Sequence, residues 1–297
     1  MRCEWQRESR ARCRTARGRR IGRCLLETHL GALPGMSIRV EEIQCKSALT
    51  GSGGRFRLNP YCGCEHSCAY CYATYLTRWR GQSAPWGSWV QVKTNIARVL
   101  ECELARRRVA HVMLSTACDA YQPVEEHYRL TRRCLSVLAI ASQKLDGPSV
   151  FVLTKSDRVL GDLDVLRMFP EGSLRVAFSV TTHRDDVAAI LEPGAPSPSA
   201  RIAAATALVA EGICVELFIN PVLPYITERD MPALLDAARV AGCGVGGFDR
   251  TNYLDRQPGA RLRAVYRHLG PEAQERLEQA RNERRSEVPT SWSPGGY

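Results

Sequence analysis

In the middle of the chain, short apolar runs rich in β-branched residues alternate with stretches of helical period, and this alternation narrows the possible folds more than any other feature. The strand-like runs occupy residues 111–114, 150–153, 174–180 and 213–219. Between them Leu130, Cys134 and Leu138 recur at four-residue spacing. Ile202, Ala205, Leu208 and Val209 form a second stripe, and Met231, Leu234, Leu235 and Ala238 a third. Boundary residues agree with this reading. Pro123 and Pro198 stand at first helical positions with Ser197 as a cap, Thr227 and Asp230 have the form of a capping box, and Gly212 and Gly242 fall just past helix ends. Strands apolar on both faces, separated by helices, specify an α/β fold with a parallel sheet.

Upstream, residues 56–61 read as a strand and residues 72–79 as helix, broken by the Gly-containing stretch 81–87. Residues 90–93 read as a short strand, after which Asn95 is placed to cap a helix running to Arg107. Downstream, residues 260–285 read as helix with mixed Arg and Glu, expected to present a solvated outer face, and residues 292–297 as a loose tail.

The chemistry-bearing feature is Cys64, Cys68 and Cys71, a C-x3-C-x2-C triplet. Three thiolates on a short loop can hold three irons of a [4Fe-4S] cluster and leave the fourth open to an outside ligand. Zinc is the alternative, with His66 or Cys62 completing a tetrahedral set, although no second C-x2-C pair follows downstream. A disulfide framework fits poorly: 13 cysteines is an odd number, and 297 residues are enough for an apolar core.

The flanks of the triplet carry a resemblance. Asn59 to Ala73, with N-P-Y before the triplet and C-Y-A after it, resembles the cluster loop of radical S-adenosylmethionine (SAM) enzymes, in particular the spore photoproduct lyase-like branch. Further segments resemble elements of the same branch: Asp119 to Pro123 its D-x-Y-Q-P, Thr154-Lys155-Ser156 its T-K-S, Ser179 to Thr182 its S-x-T-T, and Leu191 to Arg201 its L-E-P-x-A-P-S-P-x-x-R. The likeness runs from about residue 36 to residue 248.

The resemblance implies a partial (β/α)6 TIM-type barrel over residues 36–250, followed by a helical C-terminal extension over 251–297. Chemistry in such barrels gathers at the C-terminal ends of the strands. It also implies a [4Fe-4S] cluster on Cys64, Cys68 and Cys71, S-adenosyl-L-methionine cleaved to a 5′-deoxyadenosyl radical, and an external one-electron reductant of flavodoxin or ferredoxin type. Tyr70 is expected against the adenine, Ser115 and Thr116 near the amino group, and Lys155 and Ser179 near the carboxylate or ribose. Arg201 is a further candidate for the carboxylate, and residues 220–223 for a fifth-strand contact. Cys118 stands near the thiol that returns hydrogen in a lyase, although its phase differs, because it immediately precedes Asp119. Asp119 and Tyr121 are expected to face substrate. Each assignment has a plainer counterpart: strand-end Ser and Thr often satisfy turn amides, a Cys at such a place is often a small buried residue, and Arg201 reads equally as a solvated helix residue.

Charge bounds the partners. Residues 1–35 hold nine Arg against three acidic residues, which supplies +6 of the formal +10 and leaves +4 over residues 36–297. The Arg-rich stretch reads as a disordered leader, as a nucleic-acid arm, or as upstream sequence ahead of a start at Met36; no fold is expected before about residue 36. A DNA or other nucleic-acid substrate fits the resemblance, yet no aromatic–basic strip of the kind that lines a nucleic-acid groove stands out in the sequence. No apolar run is long enough for a membrane span, and thirteen cysteines with one cluster loop and no secretory h-region point to a reducing cytoplasm. The competing class is a zinc-stabilised nucleic-acid-binding module without catalytic activity.

Overall fold

The computed structural model describes residues 25–28, 38–247 and 259–287. Its strands are β1 (Leu25–Thr28), β2 (Ile38–Ile43), β3 (Leu49–Ser52), β4 (Arg55–Leu58), β5 (Tyr61–Cys62), β6 (Trp89–Lys93), β7 (His111–Leu114), β8 (Ser149–Thr154), β9 (Leu174–Ser179), β10 (Val215–Phe218) and β11 (Gly244–Gly246). They form two sheets, one of four strands in the order β1-β2-β6-β5 and one of seven in the order β11-β10-β9-β8-β7-β4-β3. In the larger sheet β4, β7, β8, β9, β10 and β11 all run parallel, each beside the strand before it, and β3 closes one edge antiparallel. Helices occupy the crossovers, chiefly Ile96–Leu104, Leu130–Ser142, Leu163–Leu166, Pro198–Ala210 and Thr227–Ala241. Six successive parallel strands with intervening helices make a partial (β/α)6 TIM-type barrel.

The sheet is parallel because its strands must be covered on both faces. Val150, Val152, Val176, Phe178 and Leu217 are all buried, as are Leu135, Leu138, Ala205, Leu208 and Leu234 on the covering helices. The parallel register directs the C-terminal ends of β7 to β10 to one side. Residues at or just past those ends, Ser115, Lys155, Ser179 and Asn220, therefore meet around one cavity.

Most expected boundaries are realised, with informative exceptions. Ser197 caps the Pro198–Ala210 helix by accepting from the Ala200 amide, and Gly242 ends Thr227–Ala241 in the left-handed conformation. The strand expected over 56–61 is split. Pro60 lacks a ladder donor, so β4 stops at Leu58 and Tyr61–Cys62 joins the other sheet. Asn95 does not cap its helix; its side-chain amide holds the backbone of Cys45 through two hydrogen bonds, of 2.8 and 2.9 Å. Nor do Thr227 and Asp230 form a capping box. The Thr227 hydroxyl bridges the Leu223 amide and the Thr181 carbonyl, while Asp230 accepts from Thr182 and Arg184. The sixth barrel strand, β11, has no counterpart in the sequence reading because Gly-Val-Gly carries no strand signature. Within residues 1–35, Leu25–Thr28 pairs antiparallel with β2, contrary to the expected lack of fold there. The rest of that leader, like the tail at 292–297, lies outside the described residues.

The largest departure concerns the C-terminal extension. Residues 260–285 were expected to be a solvated helix, yet they form two helices, Ala260–Leu269 and Pro271–Glu287, that turn at Gly270 with φ 103°. Leu262, Val265, Tyr266, Ala273 and Leu277 are buried in a second apolar cluster with Cys68, Tyr70, Leu191, Leu223 and Ile226. Only the outward faces match the charged composition. Leu277→Ala is therefore expected to lower the stability of the whole fold by about 2–5 kcal/mol, seen in urea unfolding as one transition at lower midpoint. An early separate transition of the extension, with the main midpoint unmoved, would contradict this packing.

Candidate active site

The loop that carries the cysteines is fixed from several sides. Behind it, Gly63 has φ 92°, and a Cβ there would fall 2.3 Å from the Trp89 carbonyl. Gly87 has φ 99°, and its Cβ would fall 2.0 Å from Ser67 Oγ. Only glycine supplies both the backbone angle and the close approach at these two positions. The segment after β7 grips the loop through Gln122, whose side-chain oxygen accepts from the Glu65 amide at 2.9 Å while its nitrogen donates to the Gly63 carbonyl at 3.2 Å. Glu65 returns the contact by accepting from the Val124 amide at 2.7 Å. The segment after β9 adds two backbone bonds, Ala69 N to Leu191 O at 2.8 Å and Gly194 N to His66 O at 3.1 Å. From the C-terminal extension, the Arg261 guanidinium donates to the Ser67 carbonyl and to Ser67 Oγ.

Held this way, Cys64, Cys68 and Cys71 all line one cavity of about 280 Å³. Each is a free thiol. Burial raises all three, Cys68 to about 12. Buried thiolates need compensating positive charge, which iron supplies. Among the described residues no three His, Cys, Asp or Glu side chains converge on a single-ion site. All three thiols line the same cavity, as a cluster with three protein ligands requires. Cys62, weighed as a fourth ligand, is buried in β5 and does not line the cavity, whereas His66 does.

Opposite the triplet lie the strand ends. Ser115, with φ 73°, accepts from the Ala120 amide at 2.9 Å, and Thr116 accepts from Asn59 Nδ2 at 3.0 Å. Asn59 Oδ1 also holds the Ala117 amide at 2.8 Å, which gives the N-P-Y lead-in a structural task. Cys118 lines the cavity, and burial pushes its thiol up to about 12, so it remains S–H at neutral pH. Asp119 accepts from Tyr121 N, Thr154 Oγ1 and Lys155 N at 2.9, 2.8 and 2.7 Å, and His66 Nδ1 stands 3.4 Å away. Burial works against its charge, but the His66 partner and these hydrogen bonds outweigh it and bring the carboxyl to about 2.

Lys155 Nζ lies 2.7 Å from Ser179 Oγ, 3.9 Å from Glu192 Oε1, and 5.6 Å from the centre of the Tyr70 ring. Tyr70 donates its hydroxyl to Glu192, which also accepts from Thr181 at 3.2 Å and pairs with Arg201. Glu192 and Arg201 are both fully buried. For Glu192, burial favours the neutral form, but Arg201 and Lys155 hold the carboxyl below its ordinary value.

Ten of the residues singled out from sequence thus meet on one cavity wall: Cys64, Cys68, Cys71, Tyr70, Ser115, Thr116, Cys118, Asp119, Lys155 and Ser179. Asn220 and Pro221 join them after β10, whereas Leu223 turns into the second apolar cluster. Two candidates are placed elsewhere. Tyr121 is buried and does not line the cavity, and its hydroxyl lies 3.1 Å from Asp162. Arg201 points at Glu192 and at the carbonyls of Pro196 and Ser179; it is buried rather than solvated and does not line the cavity. Sequence reasoning missed the organising role of Glu192, although a Glu between Leu191 and Pro193 in an apolar helix end was a signal. Nothing in the sequence marked Arg261.

Residues 58–238 match the radical SAM superfamily. An uncharacterized protein of Methanocaldococcus jannaschii is 30% identical over 194 residues, 64% of this chain and 70% of that protein. An uncharacterized protein of Mycobacterium tuberculosis is 31% identical over 240 residues, 71% of this chain and 69% of that protein. The chain belongs to the radical SAM superfamily. Among solved structures, spore photoproduct lyase complexed with dinucleoside spore photoproduct superposes with a TM-score of 0.53 at 17% identity, over 68% of this chain and 57% of the lyase. A lyase variant with bound S-adenosylmethionine and the dinucleoside gives 0.50 at 18% identity, over 80% of this chain and 62% of the lyase. The barrel is shared, and the chain spans little more than half of the lyase's length. As a radical SAM protein it is an enzyme that uses a [4Fe-4S] cluster and S-adenosylmethionine, and the zinc-stabilised binding module is set aside. No helix among the described residues is long and apolar enough to cross a membrane.

Removing Arg201 strands a buried carboxylate. Arg201→Ala is expected to cost about 3–5 kcal/mol of stability, measured by urea unfolding of the apoprotein. Weaker S-adenosylmethionine binding with stability unchanged would instead make Arg201 a ligand contact.

Proposed function

We propose that Cys64, Cys68 and Cys71 ligate the cluster, that Tyr70, Ser115, Thr116, Lys155 and Ser179 hold S-adenosylmethionine against it, and that the enzyme abstracts a hydrogen atom from a nucleobase and returns one through Cys118. When bound, the reduced cluster and S-adenosylmethionine supply a 5′-deoxyadenosyl radical. The protein supplies placement and exclusion of water. The observation that carries the reading is that the triplet and the Cys118 thiol line the same cavity.

The residues divide the work by charge. Lys155, at the end of β8 on the cavity wall, offers its ammonium to the methionine carboxylate, with Glu192 and Ser179 fixing its direction. The Tyr70 ring is tethered through its hydroxyl to Glu192, which leaves a face for the adenine. Asp119 acts as a pin: its bonds to Tyr121 on its own loop, to Thr154 and Lys155 at the end of β8, and its pairing with His66 of the cysteine loop hold the strand ends in register with the triplet. Cys118 is kept protonated by burial, the state needed to give a hydrogen atom. The sulfur loses S–H to the product radical and regains it from one external electron and one proton.

A nucleobase is the favoured substrate because the lyase of similar fold was captured with a damaged dinucleoside, and a damaged base leaves its stack at least cost. The electron is assigned to a flavodoxin- or ferredoxin-type reductant.

The test is anaerobic reconstitution of the full chain with iron and sulfide, then reduction with S-adenosylmethionine. The wild-type chain is expected to bind four irons and release 5′-deoxyadenosine, and Cys68→Ala to do neither. Cys118→Ala is expected to keep the cluster and 5′-deoxyadenosine release while forming completed product about tenfold or more slowly from ultraviolet-irradiated oligonucleotide. Deuterium from solvent should enter the wild-type product through the exchangeable thiol and be absent from that of the variant. Unchanged product formation by Cys118→Ala would remove the thiol from the mechanism.

A further inference from the structure

Just past the cluster loop, the helix Tyr75–Trp79 and the turn Tyr72–Thr74 before it carry three large aromatic side chains into solvent. Tyr72 is 50% exposed, Tyr75 51% and Trp79 82%. The opposite side of the same segment, Ala73 and Leu76, is buried in the core, so the rings are presented by an anchored element. Their spacing of three and then four residues puts them on one stripe. That stripe begins at the cavity, where Tyr72 is a wall residue whose hydroxyl donates to the Thr116 carbonyl. It then leads outward to Tyr75 and Trp79, which meet edge to face at 6.5 Å, a contact that uses one ring face and leaves the remaining exposed faces for stacking.

The same segment is cationic. Arg78 and Arg80 are exposed, and among the described residues neither side chain is engaged in an ion pair or hydrogen bond. No acidic residue occurs in the sequence between Glu65 and Glu101. Open ring faces interleaved with unpaired guanidinium groups suit a chain of flat aromatic rings joined by anions. The aromatic–basic strip absent from a linear reading is thus assembled by a helical turn.

Resting on the nucleic-acid reading above, we propose that this ridge is the docking track for a single-stranded nucleic acid. Bases stack on Tyr75 and Trp79, phosphates pair with Arg78 and Arg80, and the strand delivers one nucleotide past Tyr72 into the cavity. A duplex hides its base faces in its own stack and would reach only the arginines, so single strands are the preferred ligand.

The test uses the full chain, reconstituted with its cluster, and a fluorescein-labelled oligothymidine read by anisotropy. Trp79→Ala and Tyr75→Ala are each expected to weaken binding about tenfold. The pair Arg78→Ala and Arg80→Ala should lower the slope of log affinity against log salt by about one per residue. Leu145→Ala, at a fully exposed apolar site elsewhere, should change nothing. All four ridge substitutions are at exposed positions, and circular dichroism checks the fold. Equal affinity of wild type and ridge variants would overturn the proposal, as would equal or tighter binding of the matching duplex. A Trp79-dependent dimer in sedimentation without oligonucleotide binding would overturn it too, by giving the ridge to a second copy. The chemistry fails separately: ridge-dependent binding with no deuterium entering any nucleic acid would keep the track and dismiss the nucleobase substrate.

Discussion

Three thiols on a loop of eight residues can face one cavity only if the loop's own backbone is satisfied elsewhere. Here it is: Gln122, Leu191, Gly194 and Arg261 meet the amides of Glu65 and Ala69 and the carbonyls of Gly63, His66 and Ser67. The donors and acceptors come from the ends of two different barrel strands and from the C-terminal extension. The geometry of the candidate site therefore depends on the barrel register as a whole. A one-residue slip in β7 or β9 would displace Gln122 or Leu191 and release the loop.

A second constraint lies beneath the first. Glu192 and Arg201 are both fully buried, and such a pair persists only when its remaining valences are met. Tyr70, Thr181, Lys155, Pro196 and Ser179 meet them. Because Tyr70 belongs to the cysteine loop, Lys155 to β8's end, Ser179 to β9 and Arg201 to a covering helix, the pair fastens four elements at one point. The same ion pair orients the two groups, Tyr70 and Lys155, that face the cavity. Packing and site geometry are in this region one arrangement.

The parallel sheet was legible because its strands are apolar on both faces, a pattern carried by single residues such as Val150, Val152 and Val176. The cavity wall was legible because chain order fixes which residues follow each strand, so Ser115, Lys155 and Ser179 could be placed without coordinates. What failed was side-chain direction. Tyr121 and Arg201 sit in the right segments but point inward to Asp162 and Glu192, and no spacing rule distinguishes a residue facing a cavity from one facing its support. The extension failed for a different reason. Leu262, Val265 and Leu277 are sparse among Arg and Glu, and a sparse stripe reads as solvated unless the surface it covers is known. Gly-Val-Gly at β11 carries too little side chain to announce a strand.

The bond between Arg261 and Ser67 joins residues 194 positions apart. During synthesis the cysteine loop leaves the ribosome long before its last clasp exists. For most of translation the loop would be held by the barrel segments alone, and with Leu262, Val265 and Leu277 still missing, the apolar cluster around Cys68 and Tyr70 would stand open to water. Docking of the extension closes that flank. The order of residues along the chain thus means that this flank of the cysteine loop can close only after every barrel segment has been made.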